Sequence, residues 1–391
     1  MKFIHAADIH LGSKIEAKLP PEKTEERKAE VRLAFKNMVE KGRAASANVI
    51  VRAGDVFDSD RPLKKDKDFF YSVVRNNPDI DFLYLRGNHD NQESYDEELD
   101  NLKTFSTEWT SYAYGDVVFS GIETVAENYS SMYSTINLNP EKTNIVILHG
   151  QKSESVGDGK INILKLKNKN IDYLALGHIH SASIGKIDER GFYAYPGCLE
   201  GRGFDETGVK GFILAEAENG KVSAKFIENS IRKTDEFIVD VSGARDSYEA
   251  FKIAKNSIKA DKKDLIRLVL KGEISFDNDG LKDETENLVS GEYYFVSVKD
   301  NTLRKFDLEK IAGDLSLRGE FIRLVLSDEK LDDETKQKVI SAGLKALSGR
   351  ETDLLRTRKI LRSRTYDYKE NRNRKLRKNK RPRYEVFGRN Q

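Results

Sequence analysis

Cysteine occurs once in the 391 residues, at Cys198, so no disulfide can form within the chain. No run approaches the ~20 apolar residues that span a bilayer, which argues against a membrane protein. The N-terminus has a single lysine and then enters a β-rich run, without the apolar stretch of a signal peptide. A soluble protein of the reducing cytoplasm is therefore expected. Internal repeats and a long heptad coiled coil are also missing. Histidine is scarce: there are six, and none falls in the last 211 residues.

Charge, by contrast, is abundant and uneven. Residues 350–391 hold 16 Lys and Arg against 5 Asp and Glu, an excess of 11 positive charges. The rest of the chain holds 51 basic and 60 acidic residues, an excess of nine negative. A weakly acidic body ending in a basic tail points to an interaction tail, often one for nucleic acid.

The length suggests two or three domains with ample core. Residues 1–235 alternate short β-rich runs with helical stretches. KFIHAAD is followed by an amphipathic segment over 22–47, then NVIVRAGD, a helical stretch over 66–75, and DFLYLRGN. A second helical stretch is expected over 95–105. DVVFSGI, NIVILHG, DYLALGHIH and FYAYPGC follow, and KGFILAEAENGKVSAKFI reads as a hairpin turning at Asn219-Gly220. Several runs are apolar on both faces, as strands in the middle of a layered α/β fold are. Residues 236–303 read as a small α+β unit, 304–361 as a helical segment and 362–391 as the basic tail.

One oddity recurs at strand after strand. Buried β-runs end in Asp8 and His10, in Asp55, in Asn88, His89 and Asp90, in His149, and in His178 and His180. Ligands of open α/β sheets bind beyond the carboxyl ends of the strands, so these groups should converge. Asp8 and His10 lie two apart on a strand, so they should point to the same face, and His178 and His180 repeat that geometry. The donors are oxygen and nitrogen without thiolate, a set that suits Mn, Fe or Zn in a catalytic site rather than a structural Zn-cysteine site. Seven candidate ligands are too many for one ion with open positions and suit two ions sharing Asp55.

Taken in order, Asp8-Ile9-His10, Gly54-Asp55, Gly87-Asn88-His89-Asp90, His149-Gly150 and Gly177-His178-Ile179-His180 resemble the signature of calcineurin-like metallophosphoesterases. Within that superfamily, ADIHLGS, AGDVFDSDRP, RGNHD and YPGCLEGRGFDETGVKGF resemble the SbcD-type DNA repair nucleases. The resemblance implies a four-layer β-sandwich flanked by helices, with a small α+β cap domain and a helical, basic C-terminal tail. It implies that Asp8, His10, Asp55 and His180 hold one metal, and Asp55, Asn88, His149 and His178 the other, with Mn2+ the expected ion and Fe, Zn or Mg as alternatives. His89 would be the histidine beside the scissile phosphate, with Asp90 fixing its tautomer. Paired cations of this kind clamp the attacking and leaving oxygens of an in-line displacement. DNA, an SMC-like ABC ATPase and a second copy of the chain are the implied partners.

Blander readings compete at several positions. His5 reads as structural, as does Cys198, which has no second thiol. Asp58, Asp60 and Arg61 read first as loop solubilisers. Arg61, Arg202, Lys375, Arg377, Lys378, Lys380 and Arg381 are also candidates for DNA contact. The stretch 197–211 reads as lying near the site. The apolar sets Phe69-Phe70-Val73 and Leu99-Leu102-Phe105 suit ordinary core, although the relatives suggest a dimer interface nearby. The leading function is a metal-dependent DNA exo- or endonuclease. Alternatives are a phosphatase or cyclic-nucleotide phosphodiesterase with the same core, and a non-catalytic DNA-binding subunit.

Overall fold

The computed structural model describes residues 1–90, 97–305 and 308–347. Their order is β1 (Lys2–Ala6), α1 (Pro21–Ala44), β2 (Val49–Ala53), α2 (Lys64–Arg75), β3 (Asp81–Leu85), β4 (Leu102–Thr104), β5 (Thr110–Tyr114), β6 (Val117–Gly121), α3 (Met132–Thr135) and β7 (Thr143–His149). Next come β8 (Gln151–Ser153), β9 (Lys160–Asn162), β10 (Tyr173–Gly177), β11 (Ser183–Lys186), β12 (Phe192–Tyr195), β13 (Gly211–Glu218) and β14 (Lys221–Glu228). The rest are β15 (Thr234–Asp240), α4 (Ser247–Ser257), β16 (Leu265–Ile274), α5 (Leu281–Val289), β17 (Phe295–Arg304), α6 (Leu308–Ala312), α7 (Leu317–Ser327) and α8 (Asp333–Leu347). Chain contacts divide the protein into two compact units. One comprises residues 1–238, 255–269 and 282–299; the other comprises 239–254, 270–281 and the described residues from 300 onward.

The first unit is built on two six-stranded sheets, ordered β14-β13-β1-β2-β3-β4 and β11-β12-β10-β7-β6-β5. Pairing is parallel from β1 to β4 and from β12 through β10 and β7 to β6, so these strands end on the same edge of their sheets. The alternation of side chains along each strand explains the layers. Phe3, Val49, Val51, Leu83 and Leu85 meet Phe119, Ile145, Ile147, Tyr173 and Ala175 in a dry core between the sheets. Ile4, Ile50, Phe82 and Tyr84 point the other way, onto Val31, Ala34, Phe35 and Met38 of α1 and Phe70, Val73 and Val74 of α2. Val146, Leu148, Leu174 and Leu176 pack outward on Met132, Tyr133, Ile163 and Leu166. The result is a mixed α/β fold with two sheets inside and helical segments outside. Arg52 shares the helix-facing side of β2 and is fully buried, its guanidinium over the rings of Phe35 and Phe70.

Local signals account for the ends of the elements. Pro21 opens α1 with Glu22 in its first turn, and Lys41 and Arg43 close it, each charge matched to the helix dipole. Asn219 and Gly220 both take positive φ, 52° and 72°, and turn the β13–β14 hairpin. Phe70 and Val73 are core residues, as is Phe105, while Leu99 and Leu102 pack against the core from its margin.

Around 95–105 the structure departs from the expected helix. Residues 91–96 lie outside the described set, and Leu102–Thr104 form an edge strand parallel to β3. The apolar spacing of Leu99, Leu102 and Phe105 reflects packing in two layers: the first two lean on the helix-side core, and Phe105 enters the core between the sheets. Buried Asn101 holds this turn, its amide donating to the carbonyls of Val74, Asn77 and Ile80, each at 3.0 Å.

In the second unit, Ile322 and Val325 of α7 pack on Ile340 and Leu344 of α8. No helix among the described residues is long and apolar enough to cross a membrane.

Asn101→Ala is expected to remove these three bonds, leaving the Val74 and Asn77 carbonyls with only their backbone donors, and to lower unfolding free energy by about 1–3 kcal/mol, measured by urea denaturation.

Candidate metal centre

The loops after β1, β2 and β3 of one sheet meet the ends of β7 and β10 of the other. His149 is the last residue of β7; the other candidate donors lie just past their strands. Asp8, His10, Asp55 and His178 all take left-handed backbone, with φ of 50°, 50°, 51° and 93°. The shared direction of Asp8 and His10 therefore comes from two left-handed bends beyond β1, not from strand alternation. Such residues cost on the order of 1–3 kcal/mol each and persist where the surroundings fix them. Here the backbone does so: Asp8 N–H donates to Gly54 O and His10 N–H to Asp55 O, both at 3.1 Å.

Close approach explains the glycines of the motifs. A Cβ at Gly177 would stand 1.8 Å from Ala53 O, and one at Gly54 would stand 2.1 Å from His149 Nδ1. Only bare backbone lets the two sheet edges meet here.

Six side chains fall into two groups, Asp8 with His10 and His180, and Asp55 with His149 and His178. Within each group the donor atoms lie within 4.8 Å of one another. In the first, His10 Nε2 faces His180 Nε2 at 3.2 Å. In the second, Asp55 Oδ2 lies 3.3 Å from His149 Nε2. Asn88 Oδ1 joins that group, 2.9 Å from His149 Nε2 and 3.1 Å from His178 Nδ1. The Asp8 carboxylate also accepts the backbone N–H of His178 on both oxygens, at 2.9 and 3.0 Å, tying one sheet's edge to the other's.

The outward-facing nitrogens show whether these residues suit divalent cations. His149 Nδ1 bonds Ala53 O at 2.8 Å, His180 Nδ1 bonds Glu206 Oε1 at 2.6 Å, and His10 Nδ1 lies 3.0 Å from Asp58 Oδ1. For His149 and His180 that acceptor favours the proton on Nδ1 and an inward Nε2 lone pair, the arrangement of metal-ligating histidine, whereas Asp58 stands beside His10 Nδ1 as a charge partner without hydrogen-bond geometry. With two carboxylates and an amide oxygen, the donor set fits hard or borderline divalent ions.

Electrostatics follow from the crowding. Burial pushes the Asp8 carboxyl up to about 6, against the pull of His149. Burial alone would raise Asp55 and lower His149. The bond between them prevails, holding Asp55 below the usual carboxylate range and raising His149 to about 9.

His89 is exposed at the rim, its ring 5.3 Å from that of His10 and its backbone N–H on Asp55 Oδ1 at 3.0 Å. Asp90, expected to orient His89, instead accepts the backbone N–H groups of Val56, Phe57 and Gly87 at 3.0–3.2 Å. It staples the loop of Asp55 to that of Asn88. Burial, with the Asp55 charge nearby, raises its carboxyl to about 6 despite those donors.

Arg202, expected to contact DNA, turns inward to Asp58 and Glu206. Arg61 is exposed; Lys375, Arg377, Lys378, Lys380 and Arg381 lie outside the described residues. Asp58 and Glu206, which orient imidazoles, are the residues that sequence reasoning missed. Glu206 sits in the 197–211 stretch expected near the site.

Residues 1–182 match the family model described as calcineurin-like phosphoesterase. Over 299 residues the chain is 28% identical to the uncharacterized metallophosphoesterase YhaO of Bacillus subtilis, spanning 70% of this chain and 72% of that protein. It is 25% identical over 239 residues to the DNA double-strand break repair protein Mre11 of Aeropyrum pernix, covering 54% of this chain and 57% of that one. A protein of the same name from Sulfolobus acidocaldarius is 21% identical over 332 residues, covering 78% and 85% respectively.

Gly177→Ala is expected to force the sheet edges apart, costing about 3 kcal/mol, the upper end of usual overpacking penalties, in denaturant titration. Divalent-ion content, measured by elemental analysis, should fall with it.

Proposed function

Given that the chain carries a calcineurin-like metallophosphoesterase domain, we propose that it is a metal-dependent DNA nuclease acting at broken or structured ends. The observation that carries this reading is the pair of adjoining donor groups, with Asp55 and Asn88 on the side of one and Asp8 reaching across to His178. Asp8, His10, Asp55 and His180 would hold one cation, and Asp55, Asn88, His149 and His178 the other, with Mn2+ the proposed ion. Two such cations, when bound, neutralise a phosphodiester and make hydroxide available near neutral pH.

The chain's own residues do the rest. His89, at the exposed rim, hydrogen-bonds the scissile phosphate or gives a proton to the leaving 3′-oxygen. Its backbone N–H on Asp55 Oδ1 keeps it beside the donor groups while its ring stays free to meet substrate. Asp90 acts through the backbone, fixing the loop from which Asn88 and His89 project.

Two features favour a polymer over a small phosphate ester. One is the similarity to relatives named as DNA double-strand break repair proteins. The other is the excess of 11 positive charges over residues 350–391, which suits a phosphate backbone. Arg61 is the described residue proposed to touch DNA, with the lysines and arginines of 375–381. An SMC-like ATPase and a second copy of the chain are the proposed protein partners.

The test is cleavage of labelled duplex, hairpin and single-stranded DNA with Mn2+, Mg2+ or Zn2+, beside a phosphomonoester control. Mn2+-dependent DNA cleavage is expected; hydrolysis of the monoester alone overturns the reading. His89→Ala is expected to keep both ions by elemental analysis and lose about 10²–10⁴-fold in turnover, the usual contribution of a positioned acid or base.

A further inference from the structure

Asp58, Arg202 and Glu206 form a closed circuit around the first donor group. Arg202 Nη1 donates to Asp58 Oδ1 at 2.9 Å, and the same oxygen lies 3.0 Å from His10 Nδ1. On its other side, Arg202 meets Glu206 with a fork: Nη2 donates to Oε1 at 2.6 Å and Nε to both oxygens at 3.1 and 3.2 Å. The Arg202 backbone N–H adds a bond to Oε2 at 2.7 Å. Glu206 Oε1 in turn takes His180 Nδ1 at 2.6 Å. His10 and His180 then close the circuit, nitrogen to nitrogen, at 3.2 Å.

Planar forks of this kind hold carboxylates in fixed directions, which a lysine does not do. Burial makes the arrangement rigid, since the Arg202 side chain is 14% exposed and that of Glu206 3%. Lys210, itself buried, anchors the same histidine by donating to His180 O at 2.9 Å. The second donor group has a different outer support. His149 rests on the backbone carbonyl of Ala53, and Asn88, which meets His178, is itself one of the donors of that group. Carboxylates thus stand behind His10 and His180, whereas a backbone carbonyl stands behind His149.

We propose that Asp58, Arg202 and Glu206 act as one positioning clamp for His10 and His180, so that the ion held by the first donor group depends on them and the ion of the second does not. This deepens the two-metal reading above and rests on it. None of the three need touch substrate; they act through the direction and basicity of the imidazoles.

The experiment is Mn2+ titration of the full chain, followed by calorimetry and electron paramagnetic resonance, for the wild type, Glu206→Gln, Asp58→Asn and the double variant. Wild-type protein should take up two ions that give the spectrum of a coupled pair. Glu206→Gln should weaken one ion by about 10–100-fold, the usual effect of removing an outer partner of a ligating histidine, and leave the other within about threefold. At intermediate Mn2+ the spectrum should become that of an isolated ion. Asp58→Asn should weaken the same ion, and the double variant should lose less than the product of the two single losses, because both act through Arg202.

A wild type that never takes up two ions overturns the two-metal reading and the clamp with it. If the wild type binds two ions, unchanged affinities in the variants, equal weakening of both ions, or losses that multiply in the double variant overturn the clamp alone. Should Glu206→Gln fail to fold, Asp58→Asn carries the test, because Asp58 is 29% exposed at its side chain and its loss leaves no buried gap.

Discussion

Everything at the site depends on holding buried carboxylates and imidazoles against their mutual repulsion and loss of hydration. Asp8, His10, Asp55 and His149 are nearly inaccessible to solvent, and four candidate donors sit in left-handed backbone. A fold chosen for stability alone would not build this. It persists because each group is tethered from behind and because a large dry core offsets the cost. The tethers are backbone carbonyls, buried carboxylates and bare glycine contacts. The offset lies in the two layers of fully buried aliphatic and aromatic side chains on either face of the first sheet.

The parallel strands make the convergence possible. Five chain segments far apart in sequence deliver their donors to one edge because β1, β2 and β3 run the same way in one sheet, and β7 and β10 in the other. Asp8 then does more than present oxygens inward. By accepting the His178 backbone N–H on both oxygens it joins the two sheets at the place where their donor groups adjoin. Asp90 does similar work within one sheet, gathering three N–H groups from two loops.

Much of this was legible in the sequence. Histidines crowded at the ends of apolar runs, and the glycines next to them, mark the inward-facing donors because metal chemistry restricts which side chains serve. The layered α/β fold was legible for a similar reason: strands covered on both faces are apolar throughout. The outward-facing supports were not. Asp58 and Glu206 look like any loop carboxylate, since nothing in local spacing says that a chain fold will lay an imidazole against them. Arg202 was misread for the same reason: a cation near a phosphate-binding motif suggests DNA until its carboxylate partners are seen. The helix expected over 95–105 failed because its apolar spacing served two different layers.

His5 stands apart from the donor chemistry, yet it sits in the seam between the sheets. Its Nδ1 meets the Tyr173 hydroxyl across that seam at 2.7 Å, among edge-to-face aromatic rings. Burial depresses its pKa to about 3, against 6.5 when solvated, so the folded ring stays neutral while an unfolded one takes up a proton. Stability from this residue is complete above the solvated value and declines as pH falls from there toward about 3. Acid would therefore weaken the protein where the His5 ring of one sheet faces Tyr173 of the other.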